Sequence, residues 1–249
     1  MSWERRFSLS IIVNGAPKSA TLFVSELLRL NLDREDLRIA TRSVLKSRIM
    51  PSEYYDFIQS SHFVAQQHIC PDDFNFSFLK TFPPTLFIHL VRDPKDVLVS
   101  WKHHITRSDL NPWEGNMYIF EKSIPSDFYS KSDEEMYSSL VEIYFPKLCI
   151  WMNEWIRQIE SLGSQFYLIK STPEILNSVG TWESLLHQHN LLGRKHFEMF
   201  DFKKSKHFRS GKEKQYHNHF TQEQITKMME IQCCHKELSK FLTNHPDTP

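Results

Sequence analysis

The sequence predicts an α/β fold, a single domain with a central, mostly parallel sheet flanked by helices. Three observations predict it. Short continuous apolar runs, SLSIIV near residue 10, TLFIHLV at 85–91 and QFYLIK at 165–170, read as strands buried on both faces. Segments with helical apolar spacing lie between them, so strands and helices alternate along the chain. The residues with chemical potential fall at the C-terminal ends of the strands, where open α/β sheets bind their ligands.

Taken in order, SLSIIV enters the stretch VNGAPKSATLFVSELL, residues 13–28, and TLFVSELLRL leaves it as a helix. HFVAQQ at 62–67 is a weaker strand. TLFIHLV is followed by the helix KDVLVSWKHH, with Pro94 suited to a first helical position. Residues 105–137 read as a long irregular insertion rich in Asn, Pro and aromatics. A long helix then runs from Asp133 to Leu162, and Pro146 should kink it. After QFYLIK a helix begins near Thr181, with Thr181 and Ser184 as candidate caps. The last helix covers Thr221 to Leu242. The domain is assigned to residues 1–249, with LTNHPDTP, 242–249, as a disordered end.

The bulk numbers suit this reading. A chain of 249 residues, 40% hydrophobic and 24% charged, can bury a substantial core. Zero formal net charge disfavours a general nucleic-acid or membrane-surface binder. Cys70, Cys149, Cys233 and Cys234 form no spaced metal pattern and read as reduced thiols of a cytoplasmic protein. No signal segment and no membrane-length apolar run is expected.

The stretch at 13–28 has the parts of an anion-binding loop. Helix-start N–H groups carry the positive end of the helix dipole. Lys18 adds a full charge, and Ser19 and Thr21 add hydroxyl donors. A plain strand-to-helix turn with a surface lysine has the same outline. The common nucleoside triphosphate loop needs two glycines flanking four residues before Lys-Ser/Thr, whereas Gly15 is alone and Lys18 follows three residues later. The second strand–loop–helix repeats the plan. Arg92 stands at the strand tip, where its guanidinium can fork onto a phosphate or pair with Asp93 or Asp96, and Ser100 lies two turns into the helix. A third segment, HFRSGKEKQYHNHFT at 207–221, is basic and precedes a helix; Arg209, Lys212 and Lys214 can close over an anion or face solvent.

Together the three segments resemble the sulfotransferases that use 3′-phosphoadenosine-5′-phosphosulfate (PAPS). The family's first loop reads roughly PKSGTTW, and here Pro17 to Phe23 is PKSATLF. Its second reads RDPKDVAVS, and here Arg92 to Ser100 is RDPKDVLVS. Its third reads FRKGxxGDWKNHFT, and here Phe208 to Thr221 is FRSGKEKQYHNHFT. Order and separation fit from residue 9 to about 221, which implies the phosphate-loop-like sulfotransferase fold. The resemblance implies that Lys18, Ser19, Ala20, Thr21, Leu22 and Phe23 hold the 5′-phosphosulfate end, with Phe23 in place of a tryptophan near the adenine. Arg92 and Ser100 would hold the 3′-phosphate, with Phe208, Arg209, Ser210 and Gly211 closing over it. Lys214 to His217 replace GDWK, so that part of the closure departs from the pattern.

The implied reaction moves a sulfuryl group in line from PAPS to an acceptor and leaves 3′-phosphoadenosine-5′-phosphate (PAP). Lys18 suits the charge that develops on the leaving phosphate, and no metal is required. The family places a histidine in a segment like KTHLP; FVAQQHICP puts His68 there as general base and Gln66 at the lysine. His89, inside a strand, reads as structural, while His103 and His104 follow the second motif. Trp113, Tyr118, Phe120, Phe128 and Tyr129 in the insertion are candidate acceptor-pocket walls. Asp109, Glu114, Glu121, Asp127, Asp133, Glu134 and Glu135 outnumber Arg107, Lys122 and Lys131 there, which favours a neutral or cationic small acceptor over an anionic polysaccharide; a solvated acidic surface gives the same count. A monomer or homodimer is expected. A catalytically impaired PAP-binding protein of the same fold is the alternative, motivated by Ala20, Gln66 and the changed third segment. A triphosphate-dependent kinase is opposed by the missing glycine.

Overall fold

A strand that is apolar on both faces needs cover on both, and the chain supplies it with helices from the two directions. The computed structural model describes residues 10–41, 46–59, 63–106, 127–192, 196–199 and 214–244. Its strands are β1 (Ile11–Gly15), β2 (Glu35–Asp36), β3 (Phe63–Gln67), β4 (Leu86–Val91) and β5 (Phe166–Lys170). They form one sheet in the order β2-β3-β1-β4-β5, with every pair parallel. The helices are α1 (Thr21–Leu32), α2 (Pro51–Gln59), α3 (Asp73–Thr81), α4 (Pro94–Ile105), α5 (Asp133–Ile143), α6 (Phe145–Ile159), α7 (Pro173–Leu176), α8 (Val179–Gln188), α9 (Gln222–Cys233) and α10 (Lys236–Asn244).

Strand alternation sorts the core into two layers. Ile11, Val13, Val64, Leu86, Ile88 and Leu90 pack against Val24, Leu27 and Leu28 of α1 and Trp182 and Leu186 of α8. Ile12, Ala65, Phe87 and Val91 face the other way, onto α4, α6 and the helices behind them. The same parity sends Gln66 towards α1 and Asn14 towards α6, which later decides what each can touch. From central β1 the chain runs out to edge strand β2, returns through β3 beside β1, and then crosses to β4 on the other side. The crevice therefore opens beyond the C-terminal ends of β1 and β4.

The four expected strands are present, with β2 as a fifth. The expected helix at 133–162 is two helices meeting at Tyr144, because Pro146 in the first turn of α6 has no N–H with which to continue the α5 ladder. The helix expected at Thr181 starts at Val179. Its cap is Ser178, whose Oγ accepts from the Thr181 N–H at 3.2 Å, so neither Thr181 nor Ser184 caps. The last expected helix divides into α9 and α10, and α10 runs through Asn244, beyond the expected end of order at Phe241. Of the insertion, residues 105–106, which end α4, and 127–137 are described; the latter hold a single 3-10 turn, Phe128–Ser130, then the start of α5, which Ser132 and Glu135 close with a reciprocal capping box. All four cysteines are unpaired thiols. Among the described residues no helix is long and apolar enough to cross a membrane.

Candidate active site

The parallel sheet brings the predicted residues to one edge. His68 follows β3, Lys18 lies between β1 and α1, and Arg92 follows β4, so adjacent strands β3, β1 and β4 present them side by side. Among the described residues no group of three potential metal ligands comes together there or elsewhere.

The first loop is tight. At Gly15 a Cβ would meet the Leu90 carbonyl oxygen at 2.8 Å and Thr21 Cγ2 at 2.9 Å, so β1 can approach β4 this closely only without a side chain. The chain then turns through two non-glycine residues in the left-handed region, Lys18 (φ 70) and Ala20 (φ 65), each at a cost of roughly 1–2 kcal/mol. The first helical bond of α1 is Val24 N–H to Ala20 O, at 3.1 Å, which leaves the N–H groups of Thr21, Leu22 and Phe23 ahead of the ladder. Ser19 is fully buried, and its Oγ has no partner among the described residues. Phe23 packs at the margin of the layer formed by α1 and α8. Strain, forward-pointing N–H groups and an orphaned hydroxyl in the six residues Lys18 to Phe23 suit an anion ligand, which supplies the missing acceptor.

His68 is held by a fixed set of contacts. Its Nδ1 lies 2.7 Å from the Gly15 carbonyl oxygen, which can only accept, so Nδ1 carries the proton and Nε2 carries the lone pair. The backbone beside it is pinned from the opposite layer. Ile69 N–H donates to Asn14 Oδ1 at 2.7 Å, and Ile69 O accepts from Trp155 Nε1 at 2.9 Å. Asn14 in turn donates through Nδ2 to His89 Nδ1 at 3.0 Å, and His89 stacks on Trp155 with ring centroids 4.9 Å apart. His89 is thus part of the wall behind the site, and burial pushes its pKa down to about 3. The pKa of His68 is also lowered from 6.5, first by desolvation and further by the Lys18 ammonium, against the raising effect of its bond to Gly15. Its imidazole is therefore neutral at neutral pH.

The second segment is used differently. Arg92 donates from Nη1 to the Lys18 carbonyl oxygen at 3.0 Å, which ties the two loops together. Asp93 caps α4 by accepting from the Lys95 N–H. Lys95 is buried; its ammonium reaches Gln232 Oε1 at 2.6 Å and Asp93 at 3.1 Å and lies over the Tyr216 ring. Asp96, also buried, accepts from the N–H groups of Lys214 at 2.7 Å and Tyr216 at 3.3 Å. Burial raises its pKa first, the Asp93 charge adds to that, and Arg92 with these backbone bonds opposes it. Ser100 is partly exposed on α4. Phe208, Arg209, Ser210 and Gly211 lie outside the described residues, as do Lys212, Trp113, Tyr118 and Phe120.

A family profile described as the sulfotransferase domain matches residues 9–241. The chain belongs to the sulfotransferase family. Among solved structures it is similar to mouse sulfotransferase SULT7A1 complexed with PAP, with 13% identity and a TM-score of 0.59 over 96% of this chain and 90% of that one. At that identity the likeness establishes the shared fold. No curated protein matches the chain by sequence.

Within the sulfotransferase fold, the other candidates separate. His103 meets the His219 ring at 5.4 Å, and His104 lies against Trp101 at 5.6 Å, beyond the α4 turn that carries Ser100. Phe128 is fully buried in the core, whereas Tyr129 is exposed. Asp133 binds the buried Lys102 ammonium at 2.6 Å, Asp127 pairs with Lys131, and Glu135 closes the α5 cap, so part of the acidic excess is structural. The sequence reading missed the contacts of Gln66 and missed Ser171 altogether. Gln66 touches both Thr21 and His68. Ser171, directly after β5, is buried with its Oγ unpartnered among the described residues, while its N–H is tied to the Val91 carbonyl at 2.7 Å.

Proposed function

We propose that this sulfotransferase moves the sulfuryl group of PAPS to a hydroxyl or amine of a small neutral or cationic acceptor and releases PAP. The observation that carries the reading is His68: a neutral imidazole at the sheet edge, its Nδ1 proton held by Gly15 and its Nε2 lone pair free of a proton, within the electrostatic reach of Lys18. His68 Nε2 takes the acceptor's proton as the new bond to sulfur forms. The bond between sulfur and the 5′-phosphate oxygen breaks, and its electron pair leaves with PAP. The Lys18 ammonium offsets that charge, and Ser19 and Thr21 supply hydroxyls beside it. Arg92 and Ser100, with Phe208, Arg209, Ser210 and Gly211, are the candidates for the 3′-phosphate. The four free thiols support a cytoplasmic setting.

Transfer of label from PAPS to a panel of phenols, alcohols, amines and acidic glycans tests the reading. Wild-type protein should label small neutral or cationic acceptors, and His68→Ala should lower kcat by about a hundredfold with little change in PAP affinity. Because the pKa of His68 is depressed, wild-type activity should hold through neutral pH and fall only as the pH drops through that lowered value. The competing reading is a PAP-binding protein without turnover, and one observation favours it: the Gln66 amide already occupies His68 Nε2. PAP binding without labelling of any acceptor would select it, and labelling of acidic glycans alone would refute the acceptor class.

A further inference from the structure

Gln66 ends up beside the first loop because its strand parity sends it towards α1. Its Nε2 lies 3.0 Å from Thr21 Oγ1 and 3.2 Å from His68 Nε2. The orientation of that amide follows from its neighbours. The Gly15 carbonyl can only accept, so His68 Nδ1 bears the ring proton and His68 Nε2 can only accept in the neutral ring. Gln66 must therefore present its NH2 group, whose two hydrogens serve His68 and Thr21 together. The bond is reversible in polarity. When His68 gains a proton, its Nε2–H becomes a donor, and a half-turn of the amide presents Oε1, which can accept from both His68 and the Thr21 hydroxyl. In the first state the Thr21 O–H proton is left to point elsewhere; in the second it is drawn to Gln66. A lysine at this position could only donate.

We propose that Gln66 is a positioning residue for sulfuryl transfer, an amide that turns over as His68 takes the acceptor's proton and so couples the base to the Thr21 hydroxyl of the donor loop. The inference rests on His68 being the base. Lys18 is the charged side chain that bears on the ring, Gly15 and Gln66 meet it as neutral groups, and Thr21 meets Gln66 from the other side.

Nitrogen-15 NMR titration of His68 in the ligand-free protein tests the coupling without turnover. In wild type the neutral ring should carry its proton on Nδ1. Gln66→Lys, which can only donate and adds a like charge, should lower the His68 midpoint by about one pH unit, a tenfold change in the ratio of ring forms. Gln66→Glu, which can only accept, should raise it by a similar amount. The acid limb of kcat/KM should move in step, with a smaller change in KM. A neutral wild-type ring protonated on Nε2, or one midpoint for all three proteins, would overturn the proposal. Should the NMR midpoints separate while the acid limb stays in place, the Gln66–His68 coupling stands and the assignment of His68 as base falls.

Discussion

The two strand–loop–helix segments share a plan and use their residues in opposite ways. In the first, Lys18 and Ala20 sit in left-handed backbone and Ser19 Oγ is buried without a partner among the described residues. In the second, which matches the family pattern more closely, Asp93, Lys95 and Asp96 are engaged inside the protein: a cap, a buried ammonium clamp and an anchor for residues 214–216. The degraded motif has the features that suit an anion, and the better-kept motif mostly builds the scaffold that carries Arg92. Closeness to a family pattern measures constraint, and constraint comes from packing as readily as from binding.

Substitutions can break that contrast. The largest effect is expected at Lys18. Lys18→Ala should reduce turnover by about 10²–10³-fold, the scale for losing one preorganised charge-stabilising group, with a small change in urea midpoint. Turnover within a few fold of wild type would remove the first loop from the chemistry. Asp96→Ala comes next. It strips two backbone N–H groups and Arg92 of a buried carboxylate and should cost roughly 2–4 kcal/mol in urea unfolding. Unchanged stability with PAP affinity abolished would show that the second segment faces the ligand after all. The smallest effect is at Ala20, where Ala20→Gly relieves left-handed strain at the expense of greater freedom in the unfolded chain. A gain of up to about 1 kcal/mol in thermal unfolding is expected. A loss of stability would mean that the loop is not strained at that residue.

Much of the architecture was legible because β1, β4 and β5 are apolar runs whose two faces both need cover. What escaped lacked a local signal. β2 is two exposed acidic residues, Glu35 and Asp36. α2 buries only Tyr54 and Phe57, and α3 alternates aromatic and polar residues in a manner closer to a strand. No glycine or proline marks the break between α9 and α10. At the site, Lys18, His68 and Arg92 could be placed by their position after strands. The pairing of Gln66 could not be read, since its partner Thr21 is 45 residues away in sequence. Nor could that of Asp96, whose anchors lie 118 and 120 residues downstream.

The central claim is that the first loop and Arg92 together hold a nucleotide with phosphates at both its 5′ and 3′ positions. Calorimetric titration with PAP, against adenosine 5′-phosphate and ATP, tests it most directly. The account predicts that PAP binds, that affinity collapses without the 3′-phosphate, and that Lys18→Ala and Arg92→Ala each weaken binding. No binding of PAP, or tighter binding of ATP, would contradict it.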